Sequence, residues 1–325
     1  AAGDAPASAY VTTMKGCDER CSFCVVPYTR GPERYRPHAE IVGEIEALVA
    51  AGTREVVLLG QTVDSFRDPG LPAPESDDPD ESQFPHLLRA IAARVPTLAR
   101  LRYTSPHPRH ATASLARAHA ELDVLARHVH MPVQSGSDRI LKRMIRRYTR
   151  AEYVARMDRL RAARPGLTLS TDVIVGFPGE TREDYEATLS LVREIGFVSL
   201  FGFKYSPRPH TPALKLGDDV PEEEKSERLT GLFELAEELT RAHLATLVGT
   251  RQEVLVEGPS KRDASVLTGR TRQNKLVHFA AERALRIGTF ALVEVTKAAP
   301  HHLTGELREI VAEPRHRTRI PVVAV

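Results

Sequence analysis

The stretch GCDERCSFCVVPYTRG (residues 16–31) contains every cysteine of this 325-residue chain, spaced as Cys17-x3-Cys21-x2-Cys24. Three thiols this close can wrap one metal centre from a single loop. An even count would suit a disulfide framework or a four-ligand zinc site, and three suits neither. An iron–sulfur cube has four irons and normally four thiolate ligands, so three ligands leave one iron open to a small molecule. Two plainer readings compete. Zinc could take the three thiols with a histidine, but the nearest, His38, lies beyond the Pro-Tyr-Thr-Arg-Gly-Pro turn at 27–32. Free cysteines also behave as small apolar residues. Against that, all three share one loop, and Asp18, Glu19 and Arg20 mark it as outside the core.

Around this loop, short apolar runs alternate with helical patterns. Strand candidates are AYVTTM (9–14), EVVLLG (55–60), RLRYTS (100–105), HVHMPVQ (128–134), LTLSTDVIVGF (167–177) and VSLFGFKYS (198–206). Between them, Ile41, Ile45, Leu48 and Val49 recur at helical spacing across 38–51. A second helix over 181–195 starts at a Thr181/Asp184 box that reads as an N-cap. Strands alternating with helices argue for an α/β fold with a parallel sheet, open or curved. The segment at 68–82 is rich in Pro, Asp and Ser and reads as a mobile, idle surface loop.

Residues 221–247 read as one long helix, with Pro221 at its first position and acids in its first turn. The period then changes. QEVLVEG, SVLTGRT, KLVHFA, FALVEVTK and HLTGELREI alternate like five short strands over about 251–311, broken by glycines. Five such strands predict a small closed, OB-like barrel. Domain bounds follow at 3–236 and 238–314, with a basic-then-apolar tail at 315–325. Residues 241–325 carry 14 Lys/Arg against 8 Asp/Glu, within a chain whose net charge is only +2. A basic appended domain suggests an anionic partner, most simply nucleic acid.

Hydrophobic residues make up 42%, as expected of a packed globular chain. No apolar run approaches the roughly 20 residues of a membrane span. The start AAGDAPASAY has neither a basic nor an apolar signal region, so with reduced cysteines the expected compartment is the cytoplasm. The chain does not begin with Met, which suggests a processing or truncation boundary at Ala1.

The cysteine loop, with Phe23 before Cys24, resembles the cluster loop of radical S-adenosylmethionine (SAM) enzymes. The longer string GCDERCSFCVVPYTRGPERYRP (16–37) resembles the methylthiotransferase family within them. So do LLGQTV (58–63), RYTSPHP (102–108), HMPVQSGSDRILKRM (130–144), STDVIVGFPGET (170–181) and FKYSPRPHTPA (203–213). These blocks keep the family's order and span most of residues 10–215. The resemblance implies a partial barrel of six βα units. Residues 250–311 resemble the TRAM domain, an RNA-binding barrel.

By this resemblance Cys17, Cys21 and Cys24 hold a [4Fe-4S] cluster, whose open iron is chelated by SAM. Reductive cleavage of SAM then yields a 5′-deoxyadenosyl radical. Gly60 and Gln61, Thr104 and Ser105, and Gln134 and Ser135 stand at strand ends where the family contacts SAM. Val175 and Gly176 would pass close to the adenine. Thr62 stands where the family usually has Asn, and His210 where it usually has glycine. Arg139, Arg143, Arg146 and Arg150 share a helical face by spacing. That face reads as solvated, as a phosphate contact, or as a route for one arginine to the SAM carboxylate.

Ser137 in QSGSD and the string VVPYTRGPERYRP resemble the branch that methylthiolates C2 of N6-isopentenyladenosine beside the tRNA anticodon. The branch for threonylcarbamoyladenosine, another single-cluster RNA-modifying reaction, and a non-enzymic RNA-binding module with a structural cluster are the alternatives. The resemblance also implies an electron donor such as flavodoxin or ferredoxin, no DNA and no membrane partner. The family holds a second [4Fe-4S] cluster on three further cysteines, which this sequence does not contain. The expectation is therefore that these residues cleave SAM without inserting sulfur.

Overall fold

A computed structural model describes residues 6–283 and 285–314; the expected tail at 315–325 lies outside them. The chain begins with β1 (Ser8–Thr12), then a two-stranded ribbon, β2 (Met14–Lys15) with β3 (Arg34–Tyr35). The ribbon brackets the cysteine loop and the short helix α1 (Val26–Arg30). There follow α2 (His38–Ala51), β4 (Glu55–Leu59), α3 (Phe84–Arg94), β5 (Arg100–Tyr103) and α4 (Ala113–Glu121). The second half runs β6 (His128–His130), α5 (Asp138–Arg143), α6 (Arg150–Ala163), β7 (Thr168–Val175), α7 (Arg182–Ile195) and β8 (Ser199–Lys204).

All six expected strands form, and all pair in parallel. They make two three-stranded sheets, β1-β4-β5 and β6-β7-β8. The join is a single bridge, where Leu101 exchanges hydrogen bonds with Val124 and Ala126 just before β6. Among the described residues β1 and β8 do not pair, so the βα barrel is partial and open along β8. The helices cover its outer face, and Ile41 and Ile45 of α2, Val56, Leu58, Leu101, Leu169 and Val173 share one core. Their burial is the main driving force, at roughly 25 cal/mol per Å² of apolar surface. Helix α7 starts as expected, with Thr181 and Asp184 closing a full capping box.

The segment at 68–82 is tied to the rest of the fold rather than hanging free. Asp68 accepts from the His38 and Gly70 amides, and Gln83 donates to the carbonyls of Asp68, Leu71 and Pro72. Asp80 pairs with Arg109 and Arg156, and Glu75 with Arg89 and Arg117. Glu75 and Asp80 thus meet basic groups on distant segments, while Asp77 and Asp78 stay exposed.

Helix α8 (Glu222–Ala245) is one unbroken helix with Pro221 just before its first residue. It runs through 236–238 and ends with Leu244 inside the second core, with Leu247. Strands β9 (Arg251–Pro259), β10 (Val266–Thr271), β11 (Leu276–Ala280), β12 (Phe290–Ala298) and β13 (Leu303–Ala312) close a barrel in the order β10-β11-β13-β12-β9.

This barrel sits on the N-terminal edge of the parallel strands. Arg100, fully buried at the start of β5, donates to the carbonyls of Arg270 and Thr271 and pairs with Glu253. Arg102 donates to the Thr271 carbonyl, and Glu55 holds both guanidiniums. Lys275 donates to the Val198 carbonyl at 2.7 Å, and burial lowers its pKa to about 8.

Candidate functional site

The opposite, C-terminal edge carries the cysteines. Gly16 enters the loop with φ +84°, and a Cβ there would collide with the Pro32 carbonyl, so only glycine allows the approach. Its amide donates to Gln61 Oε1 at 2.7 Å. The Cys17 amide donates to the Gly31 carbonyl and the Cys24 amide to the Cys21 carbonyl. Asp18 and Arg20 are exposed, as the reading of the flanks expects, while other parts of the loop are sequestered. Cys17, Cys21 and Glu19 are buried, and Glu19 pairs with Arg109. Burial raises the Cys17 thiol to about 11 and raises that of Cys24.

Cys17, Cys21 and Cys24 all line one cavity of about 250 Å³. Of the expected SAM contacts, Gln61, Thr104, Ser105 and Gln134 line it too. Ser105 and Gln134 have φ of +59° and +73°, unusual for residues with side chains. The Gln134 backbone bridges to β7, its amide donating to the Asp172 carbonyl and its carbonyl accepting from the Ile174 amide. Gly60, Ser135, Val175 and Gly176 lie outside the lining. Ser135 is fully buried against the Thr188 hydroxyl. A Cβ on Gly60 would meet Met14, and one on Gly176 would meet Lys225.

The cavity also holds Glu19, His107 and His130, to which the sequence reading gave no role there, and Arg146 of the arginine run. His107 and Glu19 are buried there, with Nε2 and Oε2 unpartnered among the described residues. His107 Nδ1 accepts from the Arg109 amide, so Nε2 carries the proton, and burial holds the ring neutral. Arg146 reaches in to donate to Cys21 Sγ at 3.3 Å. His130 meets Asp172 at 3.2 Å and Ser170 at 2.9 Å. A second cavity of about 300 Å³ shares Phe23, Gln134 and Asp172 with the first and extends to Phe203 and Arg208. On β8, Phe201 and Phe203 are 54% and 52% exposed, two residues apart and so on one face. Phe201 stands edge-on to His130. It also lines a cleft of about 550 Å³ between the parallel strands and the small barrel, with Phe233, Arg241, Arg270 and Lys275.

The shared arginine face does not exist, because α5 ends at Arg143. Arg139 pairs with Asp184, Arg143 donates to the Pro178 carbonyl and Arg150 pairs with Glu194. The period-two alternation of β7 and β8 was the signal that could have placed Asp172, Phe201 and Phe203 together.

Among the described residues, no three Cys, His, Asp or Glu side chains converge closely enough to hold a single metal ion. His38 is turned to Asp68. Three thiols around a cavity, with no fourth ligand among these groups, is a donor set that suits an iron–sulfur cluster better than zinc.

A family model for the Radical SAM superfamily matches residues 11–192, and one for the TRAM domain matches residues 245–307. The chain is 64% identical over 325 residues to a tRNA-2-methylthio-N(6)-dimethylallyladenosine synthase of Sorangium cellulosum, covering 95% of this chain and 65% of that protein. It is 48% identical over 300 residues to the protein of that name from Acidithiobacillus ferrooxidans, covering 92% and 64%. The chain thus spans somewhat less than two thirds of these relatives. Among solved structures, a radical S-adenosylmethionine methyltransferase from Kitasatospora setae aligns with a TM-score of 0.52 at 22% identity, over 64% of this chain and 38% of that one. Coproporphyrinogen III oxidase from Escherichia coli aligns at 0.51 and 13% identity, over 82% and 67%. These two show a common fold.

Proposed function

The chain belongs to the radical SAM superfamily, and on that premise we propose that it forms the catalytic and RNA-binding parts of a tRNA methylthiotransferase acting at C2 of N6-isopentenyladenosine. The observation that carries this reading is the meeting of Cys17, Cys21 and Cys24 on one cavity, in a chain 64% identical to a relative of that name. The three cysteines would hold a [4Fe-4S] cluster. When bound with SAM, such a cluster supplies a one-electron cleavage that generates a hydrogen-abstracting adenosyl radical.

The protein's own side chains shape the surroundings. Thr62 and Arg146 hydrogen-bond the sulfurs of Cys17 and Cys21. Gln61, Thr104, Ser105 and Gln134 offer polar groups to SAM from three strand ends. The proposed set includes Gly60, Ser135, Val175 and Gly176 as supports of the strand ends rather than side-chain contacts. His107 and Glu19 line the same space, and their Nε2 and Oε2 are unpartnered among the described residues, a donor and an acceptor.

The substrate base would enter along open β8, stacking on Phe201 and Phe203 with Asp172 and His130 as hydrogen-bonding partners. Base–aromatic stacking is worth roughly 1–3 kcal/mol per base. The TRAM barrel, from about 250 to 311, would hold the tRNA phosphates. A flavodoxin- or ferredoxin-type protein would supply the electron, and the reduced thiols fit a cytoplasmic enzyme.

The test is anaerobic reconstitution followed by two readouts. The first is 5′-deoxyadenosine formation from SAM by reduced protein. The second is mass spectrometry of nucleosides from isopentenylated tRNA after incubation with the relative-length protein. Iron-free protein after reconstitution, or no deoxyadenosine, would reject the reading. A methylthio group on threonylcarbamoyladenosine instead would move the chain to that branch.

A further inference from the structure

The turn that follows α5 is shaped around one side chain. The Ile145 amide donates to the Lys142 carbonyl and the Arg146 amide to the Leu141 carbonyl, which is a Schellman closure. Its left-handed position usually takes glycine, yet here Ile145 occupies it at φ +58°. Arg147 is also left-handed, at φ +23°. A β-branched residue in that region is a genuine outlier, and such strain persists only where surrounding contacts enforce it. Ile145 and Arg147 are exposed, while Arg146 between them is 5% exposed and turned inward. The same turn is fastened to the cysteine loop: the Ser22 amide donates to the Met144 carbonyl at 2.9 Å and its hydroxyl to the Arg143 carbonyl at 2.8 Å.

The partners of Arg146 are unusual for a buried cation. Nε donates to the Tyr148 hydroxyl at 2.9 Å, Nη2 to the Pro132 carbonyl at 3.0 Å and Nη1 to Cys21 Sγ at 3.3 Å. No acidic side chain pairs with it among the described residues. A guanidinium stays charged in any protein, and an uncompensated buried charge is strongly destabilising. Burial keeps the Tyr148 phenol neutral, so among the groups Arg146 touches the one that would carry the opposite charge as a cluster ligand is the Cys21 sulfur, with Cys24 also near enough to feel the cation.

We infer that Arg146 is the built-in counter-cation of the cysteine-bound cluster, a positioning residue that stabilises its reduced, more negative state. This rests on the reading of Cys17, Cys21 and Cys24 as cluster ligands. Adding an electron adds negative charge beside a fixed positive one in a low-dielectric pocket, and hydrogen bonds to ligand sulfurs act in the same direction. The strained turn and the Ser22 ties keep the guanidinium there.

The experiment uses the full chain, reconstituted anaerobically, with iron and sulfide quantified and reduction followed by EPR-monitored redox titration without SAM. At a fixed potential, Arg146→Met is expected to lower the reduced-to-oxidised ratio at least tenfold, about 59 mV for one electron. Arg146→Lys keeps the charge and should stay within about threefold of wild type by the same relation. An unchanged midpoint in Arg146→Met, or an equal shift in both variants, overturns the inference. Should Arg146→Met take up no cluster, full loading of Arg146→Lys supports the counter-charge role, and failure of both assigns Arg146 a purely structural one. A wild-type chain that takes up no cluster rejects the ligand assignment itself, a result separable from the behaviour of either variant.

Discussion

The Thr62 hydroxyl lies 3.1 Å from the Cys17 sulfur, joining the loop after β4 to the cysteine loop after β2. Thr62 is itself buried, so this contact takes the place of hydration at a thiol that burial holds at about 11. Thr62→Val removes the hydrogen bond at nearly constant volume. The expected result is a weaker hold on iron by roughly three- to tenfold, from a bond worth about 0.5–1.5 kcal/mol. Chelator competition on reconstituted protein measures this, and equal iron release by both proteins would contradict it.

Asp184 ties α7 to the loop after β6. Burial opposes its charge, but hydrogen bonds from Arg139, Ser137 and Thr181 outweigh this and lower its pKa from 3.8 to about 2. The carboxylate is favoured more in the folded than in the unfolded chain. Its contribution is therefore complete above about pH 4 and is lost as pH falls through 2, on the order of 1–2 kcal/mol. Asp184→Asn should flatten that part of an acid-unfolding curve. An unchanged slope between pH 4 and 2 would disprove the assignment.

Glu55 holds Arg100 and Arg102 where the two barrels meet. Glu55→Ala leaves two buried guanidiniums short of a carboxylate, a loss of about 3–5 kcal/mol. Thermal unfolding should fall sharply, and the junction from 250 onward should become accessible to protease. Unaltered protease resistance would show that the interface does not depend on this carboxylate.

Phe201→Ala and Phe203→Ala should weaken binding of an isopentenylated anticodon stem-loop by roughly fivefold or more each, at the lower end of base–aromatic stacking. RNA-independent cleavage of SAM should be unaffected. Equal RNA affinity in the double variant would remove β8 from the substrate path.

For the TRAM barrel, deletion is a poor test, because Arg100 lies fully buried beneath it. The exposed Lys261 and Arg262 are better targets. Paired substitution by alanine should weaken tRNA binding and reduce its salt dependence, by a slope of about one to two if both meet phosphates. An identical salt slope would place the RNA elsewhere.

The six strands were legible because each is a short run rich in apolar, aromatic or β-branched residues with glycine or a turn after it. The spacing of the cysteines singled out the loop that lines the cavity, though its chemistry came from the resemblance. The arginine run misled because nothing in KRMIRRY announces that the helix stops at Arg143: the left-handed residue there is Ile145, not glycine. The acidic loop misled because Arg109, Arg117 and Arg156, which neutralise it, come from remote segments. Ser135 looked like its neighbour Gln134, but its side chain is fully buried against Thr188 of α7, a contact no local pattern announces. The seat of the small barrel depends on Arg100 meeting residue 270, a separation no local pattern carries.

The small barrel and the sulfurs stand at opposite ends of the same parallel strands. The eight residues of β7 separate these ends by roughly 25 Å at about 3.3 Å per residue. On the proposed function, an RNA gripped at the small barrel and modified at the cysteine cavity would have to span this interval. The sheet would then act as a gauge, selecting the nucleotide that reaches the sulfurs by its distance from the gripped one as well as by its own chemistry. Lengthening or shortening an RNA loop by one residue would present a neighbour to the same cavity.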